Sequence, residues 1–172
     1  MIWHFDPGYT TVEFVIRNLF FKVKGRFRDL EGQIVLDESD ITRSSVNATI
    51  KAGSIDTGNK RRDAHLLLKD FFNVDVFPDI EFKSTSVRRG RDRDSLDLAG
   101  DLTIKDRTVP VALSVNEMDR SRSPNGEEFV YYSATTELDR CAFGIDYGRG
   151  FIGRRLQVTI NVQACDTSRT RR

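Results

Sequence analysis

Apolar residues recur at every second position through most of this chain, and the pattern is broken once, between Gly53 and Phe82. A period of two marks strands buried on one face. Val12, Phe14 and Ile16 alternate with Thr11, Glu13 and Val15, and Val46, Ala48 and Ile50 alternate with Asn47, Thr49 and Lys51. Ile80, Phe82, Ser84 and Ser86 form one face against Glu81, Lys83, Thr85 and Val87. The phase continues in Leu96, Leu98, Leu102 and Ile104, in Val109, Val111, Leu113 and Val115, and most cleanly in Leu156, Val158, Ile160, Val162 and Ala164. Val23, Gly25, Phe27, Ile34 and Leu36 read as one long curved strand from Lys22 to Asp37, with Gly25 and Gly32 as its bulge or bend sites. Pro110 requires its strand position to face outward or to lie at an edge or bulge. The links, such as Asp6-Pro7-Gly8 and Ser123-Pro124-Asn125-Gly126, are short turns, so eight to nine strands pair antiparallel and not through helical crossovers. An all-β, antiparallel eight-stranded barrel closes such a set without exposed edges; a β-sandwich is the alternative.

The interruption favours the barrel. Ser54 to Asn59 is turn chemistry, and Lys60 to Lys69 contains no Gly or Pro and suits a helix of about two to three turns. Such a helix does not stand alone. Its leucines and Phe71, Phe72, Val74, Val76 and Phe77 need an apolar surface to cover before Pro78 returns the chain to a strand, and the open end of a barrel supplies one. Residues 1–166 are therefore expected to form a single barrel domain with a short helical insertion over one end, followed by a polar tail at 167–172.

Charge and composition narrow the partners. With 27 basic and 26 acidic residues the net charge is +1, and neither the balance nor the run Arg88 to Asp94, where arginines alternate with aspartates, argues for a nucleic-acid partner. No apolar run approaches the roughly 18 residues of a membrane span. No charged and apolar leader precedes Ile2-Trp3-His4-Phe5, so the expected location is cytoplasmic, or periplasmic if the sequence is a trimmed mature form. Cys141 and Cys165 have no metal-ligand spacing and read as reduced thiols; with only His4 and His65 besides, no metal or haem signature is present. No metal and no cofactor are expected, and the sequence leaves a homodimer open.

The chain resembles the YceI-like family of polyisoprenoid-binding, lipocalin-like proteins over nearly its whole length. The resemblance rests on Trp3 and Asp6-Pro7, Val23-Lys24-Gly25-Arg26-Phe27, Ser44-Ser45-Val46 and Ser54-Ile55-Asp56-Thr57. It continues in Arg62-Asp63-Ala64-His65-Leu66, Asp70-Phe71-Phe72-Asn73-Val74, Phe77-Pro78, Phe82-Lys83-Ser84-Thr85, Gly100 to Ile104, Asp139-Arg140 and Phe143-Gly144-Ile145. It implies an antiparallel barrel whose apolar tunnel holds a long-chain isoprenoid or similar amphiphile. The chain has Tyr9-Thr10 where the family usually shows His-Ser, Asn18 where it shows another His, and Lys105-Asp106 where it shows a basic-Gly pair.

Periodicity does not decide whether the phenylalanines fill a core or line a cavity; the resemblance favours the cavity. The expected ligand-binding residues are Phe14, Ile16, Phe27, Ile50, Leu66, Leu67, Phe71, Phe72, Ile80, Phe82, Leu98, Leu102, Leu113 and Phe143. Tyr9, Asn18, Arg62, Asp63 and His65 form the expected polar mouth. Arg62, Asp63 and His65 look like an acid–base cluster, yet positions 63 and 65 do not share a helix face, so no catalytic residue is assigned and their expected role is to pin the insertion. The expected function is binding and sequestration or transport of a long-chain polyisoprenoid or similar amphipathic lipid. An interaction or stress-response module with a filled barrel ranks second, and an enzyme acting on a lipid through Asp63 and His65 ranks last. Partition supplies the affinity: at roughly 0.3 kcal/mol per heavy atom, a chain of about forty carbons reaches about −12 kcal/mol.

Overall fold

The computed structural model describes residues 1–166, so the tail expected at 167–172 lies outside the described residues. The strands are β1 (Ile2–Phe5), β2 (Thr11–Asn18), β3 (Lys22–Phe27), β4 (Leu30–Val35), β5 (Ser45–Lys51), β6 (Ile55–Asp56), β7 (Asp79–Arg89), β8 (Ser95–Ile104), β9 (Arg107–Arg122), β10 (Glu128–Asp139) and β11 (Ile152–Asp166). One helix, α1 (Lys60–Leu66), follows β6. All neighbours pair antiparallel, and the pairing of β1 with both β4 and β11 closes the sheet.

Eleven strands make an eight-stranded barrel because three walls are each built from two segments. The long β11 pairs through Ala164–Asp166 with β1 and through its earlier residues with β2. β3 and β4 likewise share the next wall, as do β5 and β6. The break between β3 and β4 falls at Arg28-Asp29 and not at a glycine. Gly25 and Gly32 sit in unshifted ladders, which corrects their reading as bulge sites. A Cβ on Gly25 would stand 2.3 Å from the ring of Phe14, its cross-strand neighbour, and one on Gly32 would stand 2.4 Å from the ring of Phe5. The glycines make room for aromatic rings inside the barrel.

The alternation of β7 also needs correction. A bulge between Ser84 and Ser86 inverts the phase, so Val87, expected on the outer face, is buried with Leu98 and Val115. Pro110 pairs with Asp101 of β8, and the ladder between β9 and β10 begins only at Ser114. Its missing N–H therefore costs no ladder bond, in keeping with an edge position.

The insertion fills a gap in the wall. Among the described residues β6 pairs only with β3, and α1 packs on β6. Asn59 caps α1 by accepting from the Arg62 N–H. The helix ends at Leu66, three residues earlier than the expected Lys69, because the chain must turn its rings inward. The Leu68 carbonyl accepts from both Phe71 and Asn73, and Asn73 takes a left-handed φ of 48°. Phe71 is buried, and Leu66, Leu67, Phe72 and Val74 pack with it on Phe27, Ile55 and Ile80.

Candidate functional site: an apolar tunnel with one polar end

Inside the barrel lies a continuous cavity of about 700 Å³. It is built from the inward positions of every long strand, including Val12, Phe14 and Ile16 of β2, Val46, Ala48 and Ile50 of β5, and Leu156, Val158 and Ile160 of β11. Its volume falls in the range of small-molecule sites, about 300–1,000 Å³. Thirteen of the fourteen apolar residues expected at a ligand line this space: Phe14, Ile16, Phe27, Ile50, Leu66, Phe71, Phe72, Ile80, Phe82, Leu98, Leu102, Leu113 and Phe143. Leu67 does not; as the C-terminal cap of α1 it packs against the core beside Phe71.

The two ends differ. At one, Trp3, Val130 and Ala164 are almost fully buried and close the lumen, with Ile34, Val87 and Tyr132 above them. Tyr132 lines the cavity and places its hydroxyl 3.4 Å from Glu117. Burial, aided by that carboxylate, pushes its pKa up to about 12, so the phenol stays neutral.

At the other end, under the insertion, Asn18, Thr57, Asn59, Arg61, Arg62, His65 and Tyr147 reach the cavity. Asn18 Oδ1 is buried and has no hydrogen-bond partner in the structure. The Arg62 guanidinium is engaged, donating from Nε to Thr57 Oγ1 at 2.8 Å and from an Nη to the Thr57 carbonyl at 2.9 Å. Asp63 accepts from the Thr57 N–H at 3.0 Å and from its hydroxyl. Both therefore fasten α1 to the segment after β6. The His65 Nε2 lies 3.0 Å from Asp70, and its ring meets Phe71 and Tyr147 edge to face, 5.1 and 5.2 Å between centroids. The imidazole is partnered by Asp70 and the Asp63 carboxylate by Thr57, so 63 and 65 do not form an acid–base pair.

Two of the five expected mouth residues lie elsewhere. Asp63 faces Thr57 and not the lumen. Tyr9 stands 68 % exposed on the outside of the wall, because the turn Asp6–Thr10 interrupts the β1–β2 wall midway and is tied to β11. The ties are the Asp6 N–H to the Gln163 carbonyl and the reciprocal bonds of Thr10 Oγ1 with the Gln163 backbone. His4 is exposed on β1, and Cys141 and Cys165 are both free thiols, the latter with its pKa raised chiefly by burial.

Sequence reasoning did not single out Arg61, Tyr132 or Tyr147, and it named Arg140 only within the Asp139-Arg140 motif, with no role. Arg140 is only 6 % exposed, and its guanidinium donates to the carbonyls of Ile145, Tyr147, Ile152 and Gly153. It thereby folds the loop 144–152 over the lumen and presents Tyr147 to His65. The available signal was an Arg beside the glycine-rich run Gly144, Gly148, Gly150, all at positive φ and needing an external organiser.

Comparison with known proteins agrees with this architecture. Residues 3–164 match the YceI-like domain. Protein YceI of Salmonella newport (strain SL254) is 33% identical over 159 residues, covering 92% of this chain and 82% of the relative. Burkholderia cenocepacia BcnA superposes with a TM-score of 0.83 over 92% of this chain and 98% of its own, at 20% identity. A polyisoprenoid-binding domain from Saccharophagus degradans, implicated in plant cell wall breakdown, superposes at 0.67 over 95% and 97%, with 12% identity. The last two show the same barrel and no more. With its family match spanning nearly the whole chain, the protein belongs to the YceI-like family.

Proposed function

We propose that this protein binds a long-chain polyisoprenoid or a similar amphipathic lipid, its apolar chain in the barrel and its polar head under the insertion, and sequesters or carries it. One observation carries the reading: the lumen is a continuous cavity of about 700 Å³ with an almost wholly apolar lining, where a filled barrel would leave no such space. The polyisoprenoid-binding domain that shares the fold supports the ligand class. Burying each methylene contributes about 0.8 kcal/mol before losses, so the wall provides affinity without a strong polar contact. Asn18, Arg61 and His65 line that end and are the polar groups we assign to the head group; Asn18 Oδ1 is a buried acceptor without a partner among the described residues. Binding is preferred to lipid chemistry through Asp63 and His65 because Asp63 is held by Thr57, and the carboxylate that partners His65 is that of Asp70.

Displacement of an environment-sensitive fluorescent fatty probe by a long-chain polyprenol tests this. Ala48 lines the cavity directly across from Phe82, so Ala48→Phe adds a ring to the lumen. Wild-type protein should bind the probe and release it to the polyprenol, and the variant should bind at least about tenfold more weakly while remaining folded. Equal probe binding by both proteins would place the probe outside the barrel and count against the proposal.

A further inference from the structure

The open end carries a feature that burial of a core does not explain. The β2–β3 hairpin tip exposes Leu19, Phe20 and Phe21 at 61, 89 and 58 %, and the turn before β11 exposes Phe151 at 70 %. The two turns are stitched together: the Leu19 N–H donates to the Phe151 carbonyl at 2.9 Å, and Asn18 pairs with Ile152 in the β2–β11 ladder. Four large apolar side chains thus project side by side from two loop tips. Isolated exposed apolar residues are ordinary, but a contiguous group marks an interaction surface. The strand residues bordering this tip, Asn18 and Ile152, both line the tunnel.

The border is cationic. Arg17 and Lys22 face each other across the base of the hairpin, both exposed and neither in an ion pair among the described residues. Asp146 on the neighbouring turn is already matched by Arg149, and Asp139 at the end of β10 by Arg154. Apolar tips flanked by cations meet a bilayer interface well, with the rings entering the boundary of the acyl region and the cations remaining among anionic head groups. Projecting tips suit a deformable lipid surface better than the flat, self-complementary face a symmetric dimer needs.

We propose that Leu19, Phe20, Phe21 and Phe151 form a membrane-docking tip that sets the tunnel mouth against an anionic phospholipid surface, with Arg17 and Lys22 as its electrostatic contacts. The link to ligand transfer rests on the function proposed above, whereas the docking itself stands on the exposed tip.

Flotation with phosphatidylcholine vesicles, with and without phosphatidylglycerol, tests it on the whole chain. Wild-type protein should float with the phosphatidylglycerol vesicles, less so as salt rises. The double variant Phe20→Ser/Phe151→Ser should lose about tenfold in binding, and Arg17→Gln/Lys22→Gln should lose less and flatten the salt dependence. Because these side chains are exposed, melting temperatures should match the wild type. Failure of the wild type to float, or undiminished flotation of the serine variant, overturns the proposal. A wild-type dimer that the serine variant converts to monomer, with no vesicle binding, assigns the tip to a second copy and also overturns it. Organic extraction of the same preparations reads the tunnel separately. Flotation without an extractable apolar chain upholds docking and removes the lipid-carrier reading; an extractable chain without flotation removes docking alone.

Discussion

The two ends of the barrel are made of the same kinds of strand and share one lumen, yet they differ in what closes them. At the Trp3 end, closure comes mainly from side chains belonging to the ladder itself: Trp3, Val130 and Ala164 point inward from β1, β10 and β11, with Leu36 and Ile41 of the segment after β4 packed in the same cluster. At the other end, closure comes from two segments outside the ladder, the insertion after β6 and the loop 144–152, held by polar bonds and by the packing of Phe71, Phe72 and Ile145 on the core. Packing of ladder residues is cooperative with the whole fold, whereas an added segment opens at a lower free energy than the barrel. The Trp3 end is accordingly the floor of the tunnel, and the insertion end is the one we propose as its gate.

The largest effects should separate floor from gate. Trp3→Ala removes a fully buried ring and should cost about 3–5 kcal/mol of global stability in chemical denaturation, while protein that remains folded keeps its affinity for an apolar probe. Comparable loss of affinity and stability would mean that the floor is part of the binding surface. Arg140→Met should cost less, about 2–3 kcal/mol, since it strips four carbonyls of a charged donor, and its signature should be local: faster hydrogen exchange confined to 144–152. Exchange rising equally in β1 and β10 would contradict the division.

Next in size is a pH effect at the floor. The Tyr132 pKa is about 12 in the folded protein against an ordinary 10.0, so the unfolded chain releases this proton first as pH rises. The contribution is fully present below about pH 10 and is lost between about 10 and 12, on the order of 1–2 kcal/mol. Tyr132→Phe should remove that step from a stability profile measured across the alkaline range; a step of unchanged size assigns it to another group. Smallest of all, His65→Ala at the gate should change stability by less than about 0.5 kcal/mol and probe affinity by about twofold or less, because His65 is half exposed and its Asp70 partner lies on the same segment. Complete loss of bound lipid in a folded His65→Ala protein would make the imidazole central to recognition.

The walls and the apolar residues of the insertion were legible in the sequence, and the floor and the polar residues of the gate much less so, for a physical reason. An inward residue on a strand is announced by its period, which is how Phe14, Ile50, Leu98 and Leu113 could be placed without coordinates. The period fails wherever an extra residue enters a strand, and the bulge at Ser84–Ser86 is why Val87 was assigned to the outside. It has no force outside the strands, where Arg61 reaches the lumen from α1 and Tyr147 from a loop fixed by side-chain bonds that no spacing encodes. Tyr9 shows the same limit from the other side: its place at the position of a family His put it at the mouth, and a turn tied to Gln163 put it on the outer wall.

Native mass spectrometry of the protein as purified, before and after organic extraction, tests the central claim most directly. A tunnel built to hold an apolar chain should give a complex heavier than the polypeptide by the mass of one long-chain lipid, lost on extraction and regained when a polyprenol is supplied. A spectrum showing only the bare polypeptide, with no uptake of the supplied polyprenol, would contradict the account.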